Sequence, residues 1–492
     1  MLFDSLSFAV FFPTIVVVYF LLPERARPYF LLAASCVFYM AFVPQYIFIL
    51  FALITLDFFL AQVIAKNSGH ARLVCLWISV AGNIGMLFWF KYFNFFNANI
   101  ALLAQFLHWN YSPILLQFIL PLGLSFHVFQ SLSYVIEVYR GKFQPERNYF
   151  IYALYVMFFP QLVAGPIERP AHLLPQFRKV HLWEETRVIL GLERILWGLF
   201  KKIVIADNIA PIVNHIYNDG VLDGPALLLA VILFTYQLYC DFSGYSDIAV
   251  GSAQVLGYEI TENFDRPYAA RSVAEFWRRW HISLSSWLRD YLYYPLALSG
   301  KHHSQTRLYA SLWFTFVLIG LWHGANWTFV IMGALFGLYI IFGSTTEHIR
   351  KAIRVKIGIE NFPRLLKTWQ IACTFALVSF AWIFFRAANF SQAASIISHL
   401  GSGLNQLASL HYLRYSLLGF PVLGNSNKFA LLGALLGIAG LEFIQYFQTK
   451  QGTLYPWASW SLPHRFAWRY AALCVLIIFG NFGALTFIYF QF

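Results

Sequence analysis

Polar residues along this chain punctuate long apolar runs, and the runs set the expected elements. Stretches able to cross a hydrocarbon core, which takes about 20 helical residues, recur near residues 7–22, 29–65, 73–90, 113–139, 149–165, 225–255, 308–343, 369–385, 428–446 and 467–490. The second is long enough for two helices parted at Pro44, and residues 308–343 suffice for two passes or a hairpin. The pattern predicts an all-α polytopic membrane protein with about 10–12 spanning helices plus re-entrant or interfacial segments. Residues 186–212 are ambiguous, because Glu193, Arg194, Lys201 and Lys202 interrupt them, and they read as interfacial or re-entrant. No internal repeat is visible, which argues against the inverted-repeat transporters.

Composition agrees with the pattern. Of 492 residues, 59% are apolar, 20% aromatic and only 11% charged, with a mean hydropathy of +0.61. Soluble proteins carry about 25% charged residues, so soluble multidomain folds are excluded. The formal net charge of +12 is spread over short loops, which fits an anionic membrane surface and gives no stripe for nucleic acid. Basic loops at 23–28, 66–72, 140–148, 168–202, 262–307 and 347–367 are assigned to the cytoplasm. Residues 207–224, with three Asp and no Lys or Arg, and the uncharged 97–120 are assigned outside. The run Phe8 to Leu22 follows Asp4 without a basic start or a small-residue cleavage site, so it reads as a retained membrane helix.

One histidine stands out against this background. Between Arg307 and Glu347 lie 39 residues without a Lys, Arg, Asp or Glu, and His323 sits near their middle in L-I-G-L-W-H-G-A-N-W-T-F. An ionisable side chain at membrane depth is by default a functional candidate. Neutral imidazole is less costly there than a carboxylate and keeps a lone pair that can take a proton. With both flanking loops basic, His323 falls near the turn of a hairpin whose ends face the cytoplasm. Gly320, Gly324 and Gly333 suit either close helix packing or a broken helix.

Three further stretches carry candidate chemistry. In E-F-W-R-R-W-H-I-S-L-S-S-W-L-R-D-Y-L-Y-Y-P-L (275–296), a single helix would put Trp277, Trp280, Leu284 and Trp287 on one face, as in an interfacial helix. The same stretch suits a cytoplasmic mouth where Arg278 and Arg279 receive a phosphate-bearing ligand and His281 lines the path inward. In Y-C-D-F-S-G-Y-S-D-I-A-V-G (239–251), Asp241 and Asp247 need partners at depth, with buried arginines or histidines the expected ones. In F-P-Q-L-V-A-G-P-I-E-R-P (159–170), three prolines impose irregular backbone, which must be buried in protein or line a cavity. Pro121 and Gly123 give a similar break before His127, which reads as a packing residue. The five cysteines lack a C-x-x-C pair and read as buried free thiols. There is no H-E-x-x-H, and His302-His303 lacks a third ligand, so no metal site is expected.

These motifs resemble the membrane-bound O-acyltransferase (MBOAT) family, in its bacterial branch of alginate and cell-wall polysaccharide O-acetyltransferases. The matching pieces run in family order: 121–141, L-V-A-G-P-I (162–167), 239–251, E-N-F-D-R-P-Y (262–268), F-W-R-R-W-H-I-S-L-S (276–285), L-W-H-G-A-N-W-T (321–328) and F-I-Y-F-Q-F (487–492). Residues 345–465 match loosely. P-L-A-L-S-G-K-H-H-S after Tyr294 departs from the usual alginate-type stretch, and His127 stands where an aromatic is common. The resemblance implies one integral membrane domain over 1–492, its catalytic core at about 121–343, with helices in a ring around a central funnel. It also implies His323 as catalytic residue and His281 as second motif histidine.

The chemistry implied is acyl transfer from a cytoplasmic thioester, most simply acetyl-CoA, to a hydroxyl on the outer side, with no bound cofactor. His323 is the general base. Asn326 shares its helical face if the helix continues, and would orient the imidazole or stabilise an oxyanion. Trp322, Arg278, Arg279 and Asp241 are expected to support the site or the donor path. The expected partners are the donor, membrane lipids, and a polysaccharide or periplasmic SGNH-hydrolase-like acceptor, with the protein in the bacterial inner membrane. Two rival classes stay open: a transporter of a polysaccharide precursor or acyl intermediate, and a non-catalytic scaffold.

Overall fold

The computed structural model describes residues 1–117, 121–163, 165–299, 304–414, 419–423, 428–483 and 487–488. It is helical throughout, with no strand among the described residues, as expected where lipid offers the backbone no hydrogen-bond partners. Among those residues, seven helices are long and apolar enough to cross a membrane: Tyr46–Lys66, Gly69–Phe106, Gly224–Leu256, Trp327–Thr345, Pro363–Arg386, Lys428–Gln451 and Leu462–Phe479. This is a multi-pass membrane protein, and among the described residues these seven helices are fewer than the ten apolar runs. The run 7–22 gives a helix of 16 residues, Leu6–Leu21. The run 113–139 has no helix among its described residues before Leu124, and the run 149–165 breaks at Phe158 into Tyr149–Met157 and the short helix Phe159–Leu162. The break near Pro44 is as predicted, between Arg27–Met40 and Tyr46–Lys66.

The chain divides into two compact units, Met1–Ile195 with Ile248–Glu262, and Leu196–Asp247 with Asn263–Phe492. In the first, Asp57 is fully buried and accepts hydrogen bonds from Ser79 Oγ at 2.5 Å and Asn83 Nδ2 at 2.8 Å. The proline-rich stretch is buried in protein, as its irregular backbone requires. Ser35 Oγ accepts the Phe159 N–H at 3.0 Å, and the Tyr155 hydroxyl donates to Glu168 O at 2.8 Å. Gly123 adopts φ 73, and a Cβ there would meet Leu162 O, so glycine lets the helix Leu124–Tyr139 start against this stretch. His127 is buried on that helix.

In the second unit, eight elements matter here: α1 (Asp207–Asn218), α2 (Gly224–Leu256, of which residues to Asp247 belong to this unit), α3 (Val273–Arg279), α4 (Ile282–Leu288), α5 (Gln305–His323), α6 (Trp327–Thr345), α7 (Glu347–Lys356) and α8 (Pro363–Arg386). Helices α5 and α6 have 19 residues each, about 28 Å at 1.5 Å per residue, close to the hydrocarbon thickness. They form a hairpin joined by Gly324, Ala325 and Asn326. A Cβ on Gly320 would run into Phe329 O, and one on Gly333 into Phe316 O, so the two backbones touch where these glycines face. Replacing Gly320 by Leu is expected to cost about 1–3 kcal/mol through overpacking, read as a lower thermal midpoint in detergent. Gly85→Ala, where a Cβ meets nothing within 4 Å, should leave the midpoint unchanged or raised. A stable Gly320→Leu would refute this packing.

Candidate active site

His281 lies at a break in the predicted helix. Ser272 caps α3 by accepting the Glu275 N–H at 3.1 Å. The helix ends at Arg279, and His281 takes a left-handed conformation, φ 43 and ψ 55, before α4 begins. For a residue with a Cβ that conformation costs about 1–2 kcal/mol, and the neighbouring 263–265 segment holds it. Ile282 N–H donates to Asn263 O and Asp265 N–H to Arg279 O, each at 2.9 Å. The predicted single Trp face therefore does not exist. Trp277, Trp280, Leu284 and Trp287 are all buried in protein instead of facing headgroups.

The Asn263 side chain fixes the imidazole. Its Oδ1 accepts from Ser283 N at 3.3 Å, Ser283 Oγ at 3.0 Å and His281 Nδ1 at 3.0 Å. A backbone N–H can only donate, so this atom is the amide oxygen and His281 carries its hydrogen on Nδ1. Nε2 is then the lone-pair nitrogen. His281 is fully buried, edge-on to Phe242 at 4.7 Å, and burial pushes its pKa down to about 3, so the ring is neutral at physiological pH.

His323 is the last residue of α5, at the hairpin turn, and is 4% exposed. Its ring lies against Trp322 at 4.9 Å and Phe385 of α8 at 5.3 Å. Trp322 also faces His281, with ring centroids 5.8 Å apart. One indole thus touches both histidines, which the sequence places 42 residues apart. The helix does not continue to Asn326. Gly324 is extended and ends it, and Asn326 caps α6 by accepting the Thr328 N–H at 3.1 Å while its Nδ2 donates to Ala388 O at 2.8 Å. Asn326 therefore orients the turn and is off the His323 helical face. Beyond it a polar groove of about 530 Å³ is lined by Tyr217, Asn218, Asn389, Gln392 and Ser395 among others.

Asp241 is buried, and its partner is a lysine, where arginine or histidine was expected. Lys202 Nζ lies 2.9 Å from Asp241 and 2.8 Å from Asp207, and Lys201 Nζ lies 2.5 Å from Asp247. Asp241 Oδ2 also accepts the Ile488 N–H at 2.8 Å. The later part of the ambiguous 186–212 stretch is buried: a π-helical turn, Phe200–Ala206, leads into α1 with both lysines buried. Arg279 pairs with Glu275 at 2.6 Å, and Arg278 is exposed. Sequence reasoning missed Asn263, Lys201, Lys202 and Phe385. Two Lys and two Asp interrupting apolar runs were a usable signal for the ion pairs, whereas Asn263 had none beyond its motif. No cluster of three or more His, Cys, Asp or Glu suited to a metal occurs among the described residues. His302, His303 and residues 489–492 of the terminal motif lie outside them.

Two substitutions test this geometry. Lys202→Met removes the cation that two buried carboxylates share and is expected to cost about 3–5 kcal/mol, with Asp241→Asn in the same chain restoring part of it. An unchanged unfolding midpoint for Lys202→Met would sink the assignment. Asn263→Ala orphans buried donors at about 1–3 kcal/mol, and its loss combined with His281→Ala should be less than additive. Full additivity would show that the two side chains act independently.

Comparison with known proteins supplies a family context. The sequence profile of the membrane-bound O-acyltransferase family matches residues 146–385, which include Asn263, His281 and His323. A protein of Azotobacter vinelandii described as a probable alginate O-acetylase is 37% identical, over 80% of this chain and 76% of its own length. One of the same description from Pseudomonas aeruginosa is 36% identical over 92% of this chain and 84% of the relative. A peptidoglycan O-acetyltransferase of Helicobacter pylori is 33% identical over 82% and 79%.

Proposed function

The chain belongs to the membrane-bound O-acyltransferase family and is an O-acyltransferase, and from that premise we propose that it moves an acetyl group from a cytoplasmic thioester, acetyl-CoA in the simplest case, to a hydroxyl on the outer side of the bacterial inner membrane. The product is O-acetylation of an extracytoplasmic polysaccharide of the alginate type or of peptidoglycan. A periplasmic acceptor of the SGNH-hydrolase kind completes the transfer to sugar. The observation that carries this reading is the pair of buried histidines sharing Trp322, one of them at the turn of a membrane-length hairpin.

His323 removes the acceptor hydroxyl proton as its oxygen attacks the thioester carbonyl. The tetrahedral intermediate then collapses, the C–S bond breaks, and the proton passes to the departing thiolate. His281, with its hydrogen held on Nδ1 by Asn263, keeps Nε2 as the lone-pair nitrogen and orients the reacting groups. Arg278 and Arg279 attract the donor's phosphates, Asp241 holds the α2 frame, and Trp322 excludes water between the rings. The polar groove beyond Asn326 suits a hydroxyl-rich acceptor. The basic segments 262–307 and 347–367 support a cytoplasmic donor side.

His323→Ala is expected to lower acetyl transfer from a labelled thioester by roughly 10²–10⁴-fold, the range for losing a general base, with the unfolding midpoint unchanged. Transfer at the wild-type rate in a folded His323→Ala protein would remove His323 from the mechanism.

A further inference from the structure

The far end of α6 borders a second cavity. Helix α6 carries its residues about 27 Å from the hairpin turn to Thr345, and there a groove of about 880 Å³ opens between α6, α7 and the start of α8, with Arg271 and Ser272 on one side. Its walls include Phe342, Ile353, Ile357, Leu366, Trp369 and Leu377, of which Phe342, Ile353, Ile357 and Trp369 are more than half exposed. Helices α6 and α8 are both membrane-length, so the groove lies where their ends reach a bilayer surface.

Its lining is cationic, with Arg271, Arg350 and Arg354 against the single carboxylate Glu347, and so is the segment around it. Residues 347–367 hold six Lys or Arg against two Glu. Both carboxylates are already engaged: Glu347 pairs with Arg350 at 2.7 Å and Arg354 at 2.9 Å, and Glu360 with Arg354 at 2.9 Å. The Arg271 guanidinium adds a further positive charge and has no ion pair or hydrogen bond among the described residues. Apolar walls beneath an undercompensated cationic rim at a membrane surface suit an amphiphile with an anionic head. A soluble anion would leave those walls in water.

We propose that this groove binds an anionic phospholipid, its phosphate held by Arg271 beside Arg350 and its acyl chains lying along Phe342, Ile353, Trp369 and Leu377. Arg271 leads the preference, because Arg350 and Arg354 are partly neutralised by Glu347. The site is separate from the histidine pair and does not depend on the acyl-transfer reading.

Native mass spectrometry of the purified full-length protein, titrated with phosphatidylglycerol or phosphatidylcholine of matched chains, tests this directly. The wild type should retain phosphatidylglycerol at least about fivefold better, Arg271→Gln should lose about fivefold of that preference, and Arg271→Lys should keep most of it, the scale expected for one cation near an anionic headgroup. Arg25→Gln, in another basic loop, should leave the preference intact. Equal retention of the two lipids, an equal loss with Arg25→Gln, or displacement of the lipid by glycerol phosphate, acetyl-CoA or an acidic carrier protein would overturn the proposal. Unfolding midpoints measured without added lipid separate loss of the site from loss of the fold.

Discussion

A charge buried away from water must be matched inside the protein, and this constraint organises the second compact unit. Lys201 and Lys202 emerge from the π-helical turn and engage Asp247, Asp241 and Asp207, so one side of α2 is pinned by ionic contacts. The residues next to those aspartates do the positioning. Phe242 packs against the His281 ring, and Ser246 Oγ accepts from Asn263 Nδ2 at 3.5 Å. Removing the lysines would therefore disturb the imidazole through its supports, without touching it directly.

Much of the fold was legible because lipid leaves few choices. Apolar runs become helices, Pro44 separates two of them, and the uncharged 308–346 stretch folds back at Gly324. Where the reading went astray, local backbone was responsible. A continuous helix over 275–296 is a sound inference from spacing, yet His281 occupies the left-handed region without being glycine, asparagine or aspartate, and no side-chain pattern announces that. The same reasoning placed Asn326 one helical turn past His323, and an extended Gly324 moved it into a cap. Among the described residues, helices long and apolar enough to span are fewer than apolar runs because stretches such as 113–139 include described residues that are not helical. The interleaving of the two compact units was illegible for a different reason: α2 passes from one to the other without any change in helical pattern.

The motif histidines were legible as an expensive imidazole and an aromatic-basic stretch. Their shared neighbour was not, since Trp322 is adjacent to His323 in sequence but meets His281 only through the tertiary fold. Family membership decides between the classes that the sequence left open, because relatives aligned over most of the chain are acyl-transferring enzymes by description. A transporter or scaffold reading has no comparable support.

The left-handed backbone at position 281 has a consequence for how variation there should be understood. Most side chains would have to bear the conformational cost that His281 bears, and β-branched residues would bear more, so loss of function with them reports folding as much as chemistry. Asparagine is the polar residue that this backbone accepts most readily. It also keeps a donor able to reach the Asn263 oxygen. The loop thus admits one economical polar replacement that preserves its shape while removing the ring, which makes backbone geometry a filter on which chemistries can occupy this corner of the site.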